Sequence, residues 1–151
     1  MPTVKCGFND APGVSGSGLL VAWGPTLAVN VGFDPNYKGP PAMPVPGITD
    51  IRALVDTGAT ECCIDSFLAT QLGLPVVDRR PISGVHGSHE ANVHLAQVFV
   101  PALNFTIYGA FAAVDLVIGG QLHQVLIGRT FLQNFTMTYE GRTGTVTISS
   151  V

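Results

Sequence analysis

Charged residues are scarce in this chain. They make up 11% of its 151 residues, whereas apolar residues make up 46%, and the formal net charge is −3. Without a basic patch the chain lacks the electrostatic footprint of nucleic-acid binding, so nucleic acid is not an expected partner. With so few charges to cover a surface, either the fold buries an unusual share of itself or a partner covers part of it.

Long apolar runs are absent as well. The longest apolar region, Gly18 to Phe33, is interrupted at Gly24-Pro25 and is shorter than the ~20 residues that a membrane-spanning helix needs. The N-terminal residues have no charged stretch that leads into an apolar one. We therefore expect a soluble, cytoplasmic protein with no membrane partner and with a length that suits one domain.

The chain has few residues suited to disulfide or metal chemistry. Its cysteines number three, and Cys62 and Cys63 are neighbours, so a disulfide between them would be strained. We expect free thiols in a reducing compartment. The spacing of His86, His89 and His94 matches no familiar ligand pattern, and we expect neither a metal nor another cofactor.

What the sequence has in abundance is strand-like pattern. Residues 1–16 are rich in Gly, Pro and Ser and are predicted to form a flexible N-terminal arm, followed by a single domain over 17–151. Gly18 to Trp23 and Thr26 to Phe33 are predicted to be two strands of a hairpin. After the proline-rich loop 34–47, Ile48 to Val55 predicts another strand.

The rest of the chain predicts hairpins and short helices. The segment "DSFLATQLGLP" has a capping Asp65 or Ser66 at its start and Gly73 at its end, which is typical of a short helix. The segment "RRPISGVHGSHEANVHLAQVFV" predicts a hairpin with its turn at Gly84 to Ser88, and "FTMTYEGRTGTVTISSV" predicts another. The predicted class is all-β with one or two short helices.

The stretch "ALVDTGAT" is unusual because its apolar strand ends in a carboxylate, Asp56, followed by Thr57 and Gly58. A later stretch, "HQVLIGRTFLQNF", shares the order of apolar strand, glycine turn and short helix. It has Ile127-Gly128 where a second Thr-Gly would stand. The chain therefore supplies one Asp-Thr-Gly.

These residues resemble the retropepsin-like aspartic proteases. The matching motifs are Leu54 to Thr60, the glycine-rich hairpin Ile82 to Gly87, and Val125 to Arg129 with the helical segment after it. Their order and spacing match the family over roughly residues 18–150. The resemblance implies a closed β-barrel or sandwich with a flap hairpin, and peptide hydrolysis without a cofactor.

The resemblance also implies roles for particular residues. Asp56, Thr57 and Gly58 are the expected catalytic residues, and Gly128 and Arg129 are expected to support the structure and the dimer. Retroviral enzymes often have an acid where this chain has Thr60, and that acid pairs with the arginine; here Glu61 is the nearby alternative. The expected substrate-binding residues lie in the site loop and the flap: Ala59, Thr60, Ser83, Gly84, Val85, His86 and Gly87.

The expected activity is that of a homodimeric aspartic endopeptidase. Its chemistry needs two carboxylates that share a proton, so one Asp56 from each of two copies is expected, with an extended peptide or unfolded protein segment as substrate. The C-terminal hairpin, especially Gly144 to Val151, is the expected dimer contact. Asp115 and Asp65 are weaker candidates for a second acid, since each suits local capping. The alternative is a catalytically silent dimerisation or peptide-binding module.

Overall fold

The structure is a computed structural model that describes residues 2–84 and 87–150. The strands are β1 (Thr3–Lys5), β2 (Thr26–Gly32), β3 (Ile48–Val55), β4 (Cys63–Asp65), β5 (Val76–Gly84), β6 (Gly87–Val100), β7 (Phe105–Val114), β8 (Val125–Ile127), β9 (Phe135–Glu140) and β10 (Thr145–Ser150). The helices are α1 (Gly16–Trp23), α2 (Ser66–Gln71) and α3 (Arg129–Leu132), with a 3₁₀ turn at Pro101–Leu103. The prediction of a mostly β domain is confirmed.

The main sheet closes into a barrel. Its strands follow the order β2-β3-β8-β4-β7-β6, and a further pairing of β2 with β6 closes the ring. β5 pairs only with β6, outside the ring. Alternate residues of β2, Leu27, Val29 and Val31, are fully or almost fully buried, as the period of two along a strand requires. These inward residues and their counterparts on the other strands form the core.

A second, three-stranded sheet lies beside the barrel in the order β1-β10-β9. The predicted C-terminal hairpin is present as β9 and β10, and Val146 and Ile148 are fully buried. The prediction of a flexible arm is wrong for Thr3–Lys5, which pair with β10. The glycine content of this segment does not indicate flexibility, because Gly7 permits close packing. A Cβ at Gly7 would lie 2.1 Å from the Gly144 carbonyl oxygen.

The segment predicted as the first strand is helix α1. The Ser15 hydroxyl accepts a hydrogen bond from the Gly18 N–H at 3.0 Å and caps the helix N-terminus. Gly24 ends the helix with a φ of 74°, a conformation that glycine adopts without strain. Leu20 is buried, whereas Val21 and Ala22 are both exposed. Two exposed neighbours break the alternation of a strand, so the apolar run "LLVAW" follows a helical face. The domain has three α-helices in its described residues, whereas one or two were predicted.

The predicted β5–β6 hairpin is present. Its pairing runs from Val76 opposite His94 to Gly84 opposite Gly87. Val85 and His86, two of the predicted flap residues, lie outside the described residues. Pro81 lies within β5, where a proline is tolerated because β5 is an edge strand.

The proline-rich loop 34–47 packs against the outside of the barrel. Gln97 accepts a hydrogen bond from the Asp34 N–H and donates one to the Asp34 carbonyl oxygen. Tyr37 packs edge-on against Tyr108, with ring centroids 5.6 Å apart.

Among the helices of the described residues, none is long and apolar enough to cross a bilayer.

Candidate active site

Asp56 directly follows β3 at a point where the backbone is fixed on both sides. On one side its N–H donates to the Ile127 carbonyl oxygen of β8 at 2.8 Å, which continues the parallel pairing of Val55 with Ile127. On the other side the Val55 N–H donates to the Pro25 carbonyl oxygen at 2.9 Å. The half-buried Asp56 carboxylate therefore stands at the end of a strand held by two neighbouring segments.

The Asp-Thr-Gly turn folds back onto the carboxylate. The Gly58 N–H donates to Asp56 Oδ1 at 2.9 Å, and the Ala59 N–H donates to the Asp56 carbonyl oxygen at 3.2 Å. A Cβ on Gly58 would lie 3.1 Å from Asp56 Oδ1, closer than a methyl group and an oxygen pack comfortably. Glycine at 58 therefore lets the main chain orient the carboxylate.

Arg129 holds the same turn from the far side. Its guanidinium donates to the Thr57 carbonyl oxygen at 2.7 Å and to the Thr60 hydroxyl at 3.0 Å. Its own N–H donates to the Ala59 carbonyl oxygen at 2.9 Å. The planar fork of an arginine suits two acceptors in fixed positions. The structure thus places Asp56, Thr57, Ala59, Thr60 and Arg129 in one hydrogen-bonded unit.

Gly128 makes this contact possible. It precedes α3, and a Cβ there would lie 2.5 Å from the Glu61 carbonyl oxygen and 2.8 Å from that of Ala59. Those distances are too short for any side chain, so the loop after Asp56 can approach α3 only over a glycine. The Gly128 N–H also donates to the Cys62 sulfur at 3.4 Å.

Glu61 does not pair with Arg129, contrary to the alternative offered by the sequence. Its carboxylate lies 3.6 Å from a terminal nitrogen of Arg80, which belongs to β5. This ion pair joins the hairpin to the loop that follows Asp56. Sequence reasoning missed Arg80, because the pair spans two elements whose approach is set by the barrel and by no local pattern.

The other predicted substrate-binding residues lie on the two parts that this ion pair connects. Ala59 is half-buried and Thr60 is exposed in the site loop. Ser83, Gly84 and Gly87 lie at the end of the hairpin, where Ser83 pairs with Ser88.

Cys63 is a nucleophilic side chain near Asp56, but it stays protonated. Burial raises the pKa of the Cys63 thiol to about 11, and the negative charges of Glu61 and Asp56 act in the same direction as burial. Burial likewise raises the pKa of Cys62. Because the thiolate and not the thiol is the nucleophile, cysteine chemistry does not explain this site.

The two other candidate acids are engaged locally. Asp65 is buried, caps α2 through the Leu68 N–H, and also accepts the N–H groups of Leu116 and Val117. Asp115 accepts a hydrogen bond from the Ser66 hydroxyl. Both carboxylates therefore serve the start of α2 and the chain after β7.

Histidines form no ligand cluster in the part of the chain that the structure describes. His94 is buried, with Nδ1 2.9 Å from the Leu74 carbonyl oxygen. His123 is also buried, with Nε2 2.7 Å from the Thr26 hydroxyl and Nδ1 3.1 Å from the Gln121 side-chain oxygen. Among the described residues, no group of three or more His, Cys, Asp or Glu is arranged to hold a metal ion.

Comparison with known sequences identifies one family. The sequence model described as gag-polyprotein putative aspartyl protease matches residues 45–134, more than half of the chain. The matched range includes Asp56, Arg80 and Arg129. No curated protein sequence matches the chain.

The chain is similar to several solved structures, the first of which shows the fold. A retropepsin-like aspartic protease from Rickettsia conorii is 16% identical with a TM-score of 0.53, over 97% of this chain and 89% of that one. EIAV protease complexed with the inhibitor HBY-793 is 19% identical with a TM-score of 0.48, over 72% and 85%. Simian foamy virus (mac) protease is 16% identical with a TM-score of 0.45, over 72% and 91%. The predicted retropepsin-like fold is confirmed.

Proposed function

From the premise that the chain belongs to the gag-polyprotein putative aspartyl protease family, we propose that it is an aspartic endopeptidase that acts as a homodimer. The observation that carries the proposal is the Asp56 carboxylate, half-buried at the end of β3 in a turn that is fixed by Gly58, Ile127 and Arg129. A carboxylate that serves only solubility does not need a turn held from three sides.

The proposed chemistry uses two copies of Asp56. Two carboxylates a hydrogen bond apart share one proton, because both cannot ionise at that distance. The ionised carboxylate takes a proton from water, the water oxygen attacks the peptide carbonyl carbon, and the protonated carboxyl donates its proton to the carbonyl oxygen, which gives a tetrahedral diol. The newly protonated carboxyl then donates to the amide nitrogen while the other carboxylate takes a proton from a diol hydroxyl. The C–N bond breaks, and the amine and the carboxylic acid leave. The titration belongs to the pair and not to either aspartate. Thr57 and Gly58 orient the carboxylate in this proposal.

The second carboxylate comes from a second chain, since this chain has one Asp-Thr-Gly and its other candidate acids are engaged elsewhere. A two-fold axis between the two Asp56 side chains brings identical groups together. The expected pairing of the C-terminal strand with a partner meets an obstacle: both edges of β10 are occupied, by β1 and β9. Strand pairing between copies would therefore use the outer edge of β1 or β9.

The hairpin of β5 and β6 is the proposed flap. A substrate in extended conformation would lie between the Asp56 turn and the hairpin end, and contact Ala59, Thr60, Ser83, Gly84 and Gly87. The predicted flap contacts Val85 and His86 belong to the same proposal. The Arg80–Glu61 ion pair supports it, because it links the hairpin to the site loop. The three free thiols fit a reducing compartment, so a cytoplasmic location is part of the proposal.

The test uses an unfolded protein or peptide library at about pH 4 to pH 7, the range in which a shared carboxylate pair operates. We expect cleavage by the wild-type protein, inhibition by a pepstatin-type compound, and a loss of about 100-fold or more in Asp56→Asn, since general acid–base groups contribute at least that much. Asp50→Asn is the matched control. Asp50 is an exposed acid on the same strand with a φ of 60°, which asparagine tolerates. Cleavage that persists in Asp56→Asn contradicts the mechanism.

A further inference from the structure

Strand β7 has one edge that is mostly unpaired. On one side residues 105–112 pair with β6, from Phe105 opposite Val100 to Ala112 opposite Val93. On the other side β4 pairs with it only at Ala112, Ala113 and Val114. Within the described residues, no strand pairs with this outer edge over 105–111. Because successive residues of an antiparallel strand direct their backbone groups to opposite sides, every second residue of this seven-residue stretch presents its N–H and C=O groups to the side without a partner strand.

This edge opens into a groove. The groove has a volume of about 290 Å³, and its lining also includes Thr130 and Phe131 of α3 and Asn134, which follows that helix. Glu61 and Cys62 close one end. Since Cys63 pairs with Ala112, the residues just before it lie at the Ala110 end of the free edge. The groove thus begins where the Asp56 loop ends.

The sequence of the free edge lacks the features that usually prevent an exposed strand from pairing with another chain. Proteins usually protect exposed edges with charges or proline. β5, the edge strand on the other side of β6, has both, with Asp78, Arg79, Arg80 and Pro81. The free edge of β7 reads "FTIYGAF" and contains neither a charge nor a proline, although its β-branched and aromatic residues favour strand pairing.

Gly109, in the middle of this edge, is a further indication that another backbone can approach here. It has a φ of 132°, and no atom lies within 4 Å of the position of its Cβ. A glycine inside a strand weakens the strand, and it often marks a place where another backbone comes close.

We infer that the free edge of β7 is a second binding site, in which an extended polypeptide adds a strand along 105–111. The occupant is the part of the polypeptide substrate that flanks the cleaved stretch, because the groove continues directly from the site loop; this identification of the occupant rests on the proposed function. Backbone pairing provides the affinity and tolerates many sequences. The lining contains one carboxylate, Glu61, and no basic residue, so a segment with a basic residue at its end fits best.

Binding is tested first without any cleavage. The probe is a labelled peptide of about eight alternating Thr, Val and Tyr residues, the usual strand length, with a lysine at each end. It is titrated into Asp56→Asn and followed by fluorescence anisotropy. We expect saturable binding, weaker binding of the same peptide with terminal glutamates, and slower amide exchange in 105–111 when the peptide is bound.

The matched variants are Ala110→Lys and Ala28→Lys, made in the Asp56→Asn background. Both alanines are exposed on barrel strands, but Ala28 lies on β2, away from the groove. We expect Ala110→Lys to weaken peptide binding about tenfold, equivalent to one or two strand hydrogen bonds, and Ala28→Lys to leave it unchanged. In the active protein, adding the probe sequence to a cleaved peptide should lower its KM.

Three results would overturn the inference. The first is unchanged amide exchange in 105–111 at saturating peptide, a measurement that does not depend on whether any variant folds. The second is an unaltered KM for the extended substrate. The third is conversion of a dimer to a monomer by Ala110→Lys, which would assign the edge to a second copy of the chain. Failure of the endopeptidase proposal would appear separately, as no Asp56-dependent cleavage, and the binding assay does not require cleavage.

Discussion

Arg129 orients the Asp56 turn without bringing a second carboxylate to it. Its two acceptors are a carbonyl oxygen, on Thr57, and a hydroxyl, on Thr60. The Thr57 carbonyl belongs to the peptide unit whose N–H is that of Gly58, the group that donates to Asp56 Oδ1. A guanidinium on one side of that peptide unit therefore directs its N–H toward the carboxylate on the other side.

His123 makes stability depend on pH at the residue scale. Burial, helped by the nearby Arg52 charge, lowers the pKa of His123 below its ordinary value. The unfolded chain therefore binds a proton near pH 6.5 that the folded chain does not bind. The stabilising contribution of neutral His123 is present above about pH 6.5 and declines as the pH falls. We expect the free energy of unfolding to decrease between about pH 7.5 and about pH 5.5, measured by urea denaturation.

Two variants separate His123 from the other titrating groups. His123→Gln keeps a polar group but removes the titration, so its free energy of unfolding should change less over the same pH interval than that of the wild type. His89→Gln is the control, because His89 is an exposed residue of β6. Equal pH dependence in His123→Gln and the wild type would contradict this explanation.

At the scale of elements, α3 and the site loop approach each other over Gly128. Because a Cβ there would lie 2.5 Å from the Glu61 carbonyl oxygen, Gly128→Ala must push the loop away or shift α3. We expect a destabilisation of ~1–3 kcal/mol, as for other overpacked sites, and a lower kcat because the Asp56 turn moves. Urea denaturation and peptide cleavage measure the two effects.

Gly18→Ala is the control for Gly128→Ala, with the opposite expected sign. Gly18 lies inside α1, and its Cβ would be at ordinary contact distance, 3.4 Å, from Ser15. Alanine stabilises a helix interior by about 0.5–1 kcal/mol relative to glycine. A Gly128→Ala protein as stable as Gly18→Ala would show that the close approach at 128 is not needed.

The sequence predicts elements well where the pattern is local. The strand before Asp56, the β5–β6 hairpin and helix α2 follow from alternation, turn residues and the cap at Asp65. The sequence of α1 resembles that of a strand because an apolar run of six residues fits either period. The Ser15 cap and the exposure of both Val21 and Ala22 separate the two.

Elements that depend on distant partners could not be predicted. β1 is a strand because β10 offers it an edge, and three residues of sequence contain no sign of that. The same holds in the site, where the Asp-Thr-Gly turn, Gly128 and Arg129 follow from motifs. The ion pair between Glu61 and Arg80 does not follow from a motif, because it depends on where the barrel places β5.

On the scale of the whole molecule, the fold supplies half of the proposed machinery. A closed barrel holds Asp56 at a strand end, a hairpin is joined to its loop, and a three-stranded sheet lies beside the barrel. Because β10 is enclosed between β1 and β9, the proposed dimer would form without adding this strand to a partner's sheet, and a contact through the C-terminal hairpin would use its faces or its outer edges. The requirement that remains is a second Asp56.

The most direct test of the two-copy site is a mixing experiment. Wild-type protein at constant concentration is equilibrated with increasing amounts of Asp56→Asn, and peptide cleavage is measured. If each site uses one Asp56 from each chain, random pairing places a growing share of the wild-type chains in inactive mixed dimers. Activity should then fall to about one half at equal amounts and about one tenth at a ninefold excess. Activity that stays constant across the titration would contradict the shared site.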